Sequence, residues 1–264
     1  MVHTANNKTA FFLDYLTEHY KCSALFMDDT RSIYYISLLL DRNTSAHIAA
    51  VYKLYASLAN VVRSASGHRE ARQQLTTIKE YVTDHSLHGY TTLTTNIDIK
   101  TLWLIDLIDG ISFYLERTRF ADTDALLKYC YQIAGTLSLM LTQAYADSHA
   151  DLPVRTMHLA MAVVLTDIIR NVWTDADNNR VYLPADLIGD MSPEAILHCT
   201  TTDYATLRYA IEKLIIIADN YYQSGYVGLG YLPYKDRFIA YLLSRSYHNI
   251  HVYVRAQQYI TPGY

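Results

Sequence analysis

A chain of 264 residues, 51% hydrophobic and 18% charged, is long enough to bury a continuous core, and it is expected to form a single domain over residues 1–264. A formal net charge of −4 and a pI near 6.2 leave no general field for a polyanion, so no nucleic-acid partner is expected and any phosphate must be met by a few placed cations. Only 9 Gly and 5 Pro occur and there is no low-complexity tract, which excludes disorder and fibres, whereas tyrosine is abundant at 25 residues.

The first segment, MVHTANNKTAFFLDYL, carries Asp14 inside its only apolar run, which is not the pattern of a secretory signal. Cys22, Cys130 and Cys199 lie far apart and are odd in number, as expected in a reducing compartment, and no CxxC spacing is present. Later apolar runs are broken by Asp or Arg and read as too short to span a bilayer. A cytoplasmic protein is predicted, with at most peripheral membrane contact to collect an apolar substrate.

Through nearly the whole sequence apolar residues recur at three- and four-residue spacing, as in Ile48, Val51, Tyr52, Tyr55 and Leu58, and again in Leu104, Leu107, Ile108, Ile111 and Tyr114. Breaks fall at Gly67, 88–96, 147–153, 177–193 and 225–233, none of them a long linker. The pattern predicts an all-α bundle of about seven to ten helices with central helices surrounded by others. GxGxxG, GxxxxGK, GxSxG and HExxH strings are all missing, so the chemistry is expected on helix faces inside the bundle. Histidines show no ligand spacing, and His248 and His251, three apart, read as surface polar residues.

The most informative stretch is AMAVVLTDIIRNVWTDADNNRVYLP, from Ala160 to Pro184. Asp167, Asn171 and Asp175 stand at i, i+4 and i+8, which at about 100° per residue puts three oxygen donors on one helix stripe, neighbours about 6 Å apart. Such a ladder suits a hard divalent cation, Mg2+, that keeps waters and is shared with substrate phosphates. Arg170 lies beside the stripe, and Arg180 with Tyr182 follows after a polar turn, supplying donors for diphosphate oxygens. Val163, Val164, Leu165, Ile168, Ile169 and Val172 cover the other faces, so the helix is expected to be central rather than a solvated acidic surface.

LTDIIRNVWTDADNNRVYLP resembles the second aspartate-rich region of squalene and phytoene synthases, where the family pattern runs approximately LTNILRDVxEDxxxGRxYLP. LLKYCYQIAGTLSLM, Leu126 to Met140, is similar to the family's LxxYCxxVAGxVGxM signature. Weaker similarity extends to TRSIYYISLLL at Thr30 to Leu40, LIDGISFYLERTRF at Leu107 to Phe120 and YLPYKDRFIAYLLSRSYHNI at Tyr231 to Ile250. The resemblance implies the isoprenoid synthase fold, in which two aspartate-rich helices face each other across a cavity and metal ions bridge them to an allylic diphosphate of C10–C20 length. It also implies diphosphate-binding roles for Arg31 and Ser32 in the N-terminal flap, beside those of Arg170, Arg180 and Tyr182. Arg63, which the family pattern lacks, is expected against the diphosphate in place of a metal ion. Tyr129 and Tyr131 then stand near the reacting carbons as proton acceptor or cation stabiliser.

The sequence departs from that family at its first aspartate-rich motif. An ungapped alignment from Ser32 places Ala59, Asn60 and Arg63 at the three motif aspartates, and a three-residue shift places Val62, Arg63 and Ser66 there. Both registers lack a carboxylate and both bring in Arg63, a fixed cation where the family holds metal. The first Asp of the second motif is Asn171, its usual Asn is Asp167, the family's upstream Gln is Val164, and Tyr114 occupies the place of an acid in the middle helix. With one metal-bearing wall, the expected activity is a Mg2+-dependent prenyltransferase that ionises one allylic diphosphate and transfers its prenyl group to a non-diphosphate small molecule of aromatic type. Two alternatives stay open: head-to-head condensation of two prenyl diphosphates, with Asp28 and Asp29 or Asp106 and Asp109 replacing the lost acids, and a non-catalytic assembly protein.

Overall fold

The computed structural model describes residues 42–84, 99–116, 119–145 and 149–256. The chain divides into two compact units, Met1–Ser45 and Ala46–Tyr264. Within the second, and beginning in the last residues of the first, helices follow one another: α1 Arg42–Ser64, α2 His68–Asp84, α3 Thr101–Glu116, α4 Thr123–Cys130, a π-helical turn Tyr131–Gly135, α5 Thr136–Thr142, α6 Leu152–Arg170, α7 Val172–Asp177, α8 Ala185–Ile188, α9 Pro193–Leu197, α10 Thr201–Leu229 and α11 Tyr234–Ala256. No strand occurs among the described residues, and the all-α class read from the periodicity holds.

Local chemistry starts these helices where it should. Thr200 caps α10 in a reciprocal box, its hydroxyl accepting from the Asp203 N–H while the Asp203 carboxylate accepts from the Thr200 N–H. The Thr200 hydroxyl, donating to the Asp203 carboxylate at 2.7 Å, and then the Thr200 N–H hold that carboxyl below the usual carboxylate range. Asp122 caps α4 by accepting from the Ala125 N–H at 2.8 Å, and Pro153 and Pro193 occupy first turns, where a missing N–H costs nothing.

The bundle is built around α6 and α10. Leu152, Met161, Ala162, Val164, Leu165, Ile168 and Ile169 of α6 are all buried, and Leu207, Ala210, Ile211, Leu214, Ile215 and Ala218 of α10 likewise. Two glycines on α10 permit the close approach: a Cβ on Gly225 would stand 2.6 Å from the Leu159 Cβ, and one on Gly228 2.3 Å from the Arg155 Cβ. Ser224 ties the same helices, accepting from Arg155 at 2.9 Å and meeting His158 Nδ1 at 2.7 Å. Length and composition alone would let α6 cross a membrane, which corrects the expectation that every apolar run is too short; its burial marks it as the core helix of the bundle.

A polar knot fastens α11 to this pair. Thr166 Oγ1 meets Tyr222 Oη at 3.0 Å and His251 Nδ1 at 3.3 Å, while His251 Nε2 lies 3.0 Å from the Asp219 carboxylate. His251 is 1% exposed and His248 stacks on Tyr222 with ring centroids 4.6 Å apart, so the expectation of two surface histidines fails. Burying these polar groups is costly, and their partners offset that cost, a condition invisible in spacing alone.

Candidate active site at the end of the core helix

The predicted oxygen ladder sits at the C-terminal end of α6, but not on one unbroken helix. The helix stops at Asn171, whose backbone turns to φ −99°, ψ 11°, and α7 resumes one residue later. The Asp175 N–H still donates to the Asn171 carbonyl at 2.7 Å, so the break is a kink and the two carboxylates stay neighbours. Asp167 is held by Arg170, N–O 2.6 Å, a pair in which Arg170 is half-exposed and Asp167 largely covered. Burial raises the Asp167 carboxyl, opposed by Arg170; burial and then the charge of Asp167 push Asp175 up to about 7, opposed by Arg180. Two carboxylates are therefore confined together at a cost that a shared cation would relieve.

α7 ends in a left-handed residue that aims the next cation. Asn179 has φ 57°, its N–H donates to the Ala176 carbonyl at 2.9 Å, and the Arg180 N–H reaches back to the Asp175 carbonyl at 2.8 Å. That is the helix-ending motif usually completed by glycine, the residue the family pattern has at this place; Asn is the next best tolerated. The turn brings Arg180 beside the carboxylates. Its guanidinium carbon stands 4.0 Å over the Tyr114 ring and Nη1 donates to Tyr182 Oη at 3.0 Å. Where the family keeps an acid, the Tyr114 π-face thus takes the Arg180 cation.

Below this lies an aromatic nest. Phe113 and Phe120 stack at 4.8 Å, and the Tyr129 ring lies 5.7 Å from Phe113, 5.3 Å from Phe120 and 6.2 Å from Tyr182. Tyr129 is 1% exposed, yet its hydroxyl has no hydrogen-bond partner. Burial, then the neighbouring Tyr182, holds its phenol well above the usual range, so it stays neutral; burial also raises Tyr182, to about 12. Phe113 and Phe120 are not marked in the sequence: Phe113 lies on α3, Phe120 follows its end, and no single helix carries both, so no common helical spacing links them.

Not every predicted residue joins this group. Tyr131, two residues beyond Tyr129, opens the π-helical turn and donates its hydroxyl to Asp106 on α3 at 2.9 Å. Residues two apart on a helix face different sides, so Tyr131 turns toward α3 rather than into the ring cluster around Tyr129. Gly110 of α3 lets that turn approach, since a Cβ there would stand 2.9 Å from Gln132 Cβ. Asp109 pairs instead with Lys79 of α2. Arg63 is half-buried in the last turn of α1, a helix without any Asp or Glu. Arg31 and Ser32, with Asp28 and Asp29, lie outside the described residues.

Comparison with known proteins shows the family of the chain. A profile of the squalene/phytoene synthase family matches residues 27–263. Among curated relatives, a phytoene synthase of Pseudescherichia vulneris is 30% identical over 152 residues, 58% of this chain and 49% of that protein, and a 15-cis-phytoene synthase of Pantoea ananas is 27% identical over 60% of this chain and 51% of that one. The chain thus spans about half the length of the curated relatives it matches. Among solved structures, a squalene synthase from Alicyclobacillus acidocaldarius superposes with TM-score 0.71 at 13% identity, covering 96% of both chains. A dehydrosqualene synthase crystallised with a ligand gives 0.66 at 20% identity, covering 96% of this chain and 88% of that one. The fold is that of the isoprenoid synthases, and the chain belongs to the squalene/phytoene synthase family.

Proposed function

We propose that this protein binds an allylic prenyl diphosphate against the Asp167–Asp175 pair and Arg180, ionises it, and joins the prenyl group head to head to a second prenyl chain. The observation that carries the reading is the confinement of two mutually repelling carboxylates beside a fixed cation, above an aromatic nest that holds one unsatisfied hydroxyl. The relatives' names, phytoene and squalene synthases, favour a second prenyl chain over an aromatic acceptor.

The donor set fits a divalent cation such as Mg2+: Asp167 and Asp175 supply hard oxygens, and their raised affinity for a proton marks an uncompensated negative site. Among the described residues no group of three or more His, Cys, Asp or Glu comes together, so Asn171, water and substrate oxygens would complete the shell. A bound cation there would supply charge neutralisation of the departing diphosphate. The chain's own groups do the rest. Arg180 offers its remaining N–H groups to diphosphate oxygens, and Tyr182, which accepts from Arg180, keeps its own O–H to donate. The carbon–oxygen bond breaks with its electron pair leaving on diphosphate, and the faces of Tyr129, Phe113 and Phe120 shelter the allylic cation from water. The double bond of the second chain supplies the electron pair of the new carbon–carbon bond, and a proton then leaves that chain to the released diphosphate. Tyr129, being neutral, acts here as a donor or π-face rather than as a base.

Transfer to a non-diphosphate acceptor remains the second reading, because α1 carries no carboxylate with which to hold metal for a second diphosphate. One assay separates them: pure protein with Mg2+ and C10, C15 or C20 allylic diphosphate, alone and with aromatic acceptors, followed for diphosphate release and product mass. A coupled product from one substrate alone is expected. Release only with an acceptor supports the second reading; no release under any condition, with substrate binding unchanged by Asp175→Ala, removes both.

A further inference from the structure

The exposed apolar surface is unevenly placed. Five of the eleven exposed large apolar side chains among the described residues sit on α11: Tyr234 at 82%, Phe238 at 55%, Tyr241 at 45%, Leu242 at 51% and Val252 at 50%. Spacings of i, i+4, i+7, i+8 and i+18 put them on one stripe of the helix. At its N-terminal end the stripe runs into a concave groove of about 360 Å³, lined by Tyr226, Leu229, Tyr234, Phe238 and Tyr241 with Arg237 at the rim. The corner is held rigid, since Arg237 donates to the carbonyls of Gly230 at 2.6 Å and Leu232 at 3.0 Å.

Charge selects what this face meets. The molecule as a whole is acidic, with net charge −4, yet Lys235, Arg237 and Arg245 are all exposed on α11 while its only acid, Asp236, is buried at 8%. Aromatic and aliphatic anchors interleaved with cations, in a helix lying along the surface, are the composition of an element that rests in the headgroup layer of an anionic bilayer. A second copy of the chain fits worse: a two-fold contact through this stripe would oppose the same three cations to one another.

We propose that α11 docks this protein on an anionic lipid surface, with Tyr234, Phe238, Tyr241 and Leu242 seated among the headgroups and acyl chains and Lys235, Arg237 and Arg245 facing lipid phosphates. The far end of the same helix carries His251, which touches Thr166 beside Asp167. The docked turns and the carboxylate pair are thus linked by one continuous helix, with about 14–26 Å of its axis between the anchoring side chains and His251. Apolar substrate and product would then exchange with the bilayer next to the site.

Vesicle co-sedimentation tests this without substrate, so its result is independent of the reading of the chemistry. The full chain is mixed with vesicles of phosphatidylcholine, with and without phosphatidylglycerol, at low and high salt. Binding is expected only to the phosphatidylglycerol vesicles and is weakened by salt. Each removed cation should lower partitioning about fivefold, so Lys235→Gln with Arg245→Gln costs about 25-fold. Tyr234→Ser with Phe238→Ser, both exposed and so compatible with folding, should abolish binding, with the helical circular dichroism unchanged. Equal binding to neutral vesicles, no binding to anionic ones, or variants that bind like the parent would overturn the proposal. So would a dimer that Tyr234→Ser with Phe238→Ser dissociates, since a second copy would then own the face.

Discussion

Removing the Tyr129 hydroxyl should stabilise the ligand-free protein and weaken its hold on diphosphate. The ring of Tyr129 packs among Phe113, Phe120 and Tyr182, and Phe in its place keeps those contacts. The hydroxyl is buried and has no partner, so it bears its desolvation cost, about 1–3 kcal/mol, with nothing in return. Taking the low end, Tyr129→Phe gains about 1 kcal/mol, which for a chain of this size raises Tm by about 2–4 °C. Urea or thermal melts of the two proteins measure it directly. Repeating the melts with a non-hydrolysable allylic diphosphate analogue and Mg2+ should reverse the order, because the parent recovers a hydrogen bond that Phe lacks. A ligand-free variant less stable than the parent would refute the reasoning, for it would mean that the hydroxyl is already satisfied within the fold. An unchanged order with ligand would take the hydroxyl out of the substrate site.

Gly228→Ala should destabilise the protein by about 1–3 kcal/mol, since its Cβ would stand 2.3 Å from the Arg155 Cβ, an atom fixed close to the backbone, and α10 would be forced off α6; denaturant melts report it. Asp175 gives the ligand-free protein a pH signature. Its folded value, about 7, lies above the ordinary 3.8, so the folded state binds the proton more tightly. Stability from this group is therefore fully present below about 4 and is lost as pH rises through about 7. Asp175→Asn should grow steadily more stable relative to the parent across that window in metal-free melts, and a difference that stays flat with pH would show that the carboxyl is not confined as described.

Periodicity was sufficient for the helical class, because burying one face of each helix leaves its mark every three or four residues. It was not sufficient for every boundary: the break read at 225–233 begins too early, since α10 runs on to Leu229 with Gly225 and Gly228 packed against α6, and the break read at 177–193 holds the short helix α8. The position of Arg180 was legible only as far as its sequence neighbours. What it does depends on Tyr114, far away in sequence, and no local pattern reports that a ring on α3 will come to lie 4.0 Å from its guanidinium. His251 illustrates the opposite failure. Spacing from His248 reads as surface, but the side chain is buried because Asp219 and Thr166 arrive from two other helices to satisfy it. The tyrosine excess also divides under inspection: Tyr114, Tyr129 and Tyr182 frame the site, Tyr222 fills the core, and Tyr209, Tyr234 and Tyr241 are exposed.

The two replacements, an acid by Tyr114 and the carboxylates of α1 by none, act in the same electrostatic direction. Each removes negative charge, and Arg180 keeps its full positive charge because a π-face, unlike a carboxylate, does not neutralise it. Among the described residues, negative charge at the site is then concentrated in Asp167 and Asp175, enough for metal on one side of the substrate. A second diphosphate, if one is bound, would have to be met by guanidinium groups directly rather than through acid-held metal. Such binding depends on salt and little on Mg2+ concentration, whereas the first diphosphate depends on both. Titrating Mg2+ against the occupancy of one and then two equivalents of an allylic diphosphate analogue resolves the two sites, and a second equivalent with the same Mg2+ dependence as the first would show that acids outside the described residues complete the missing wall.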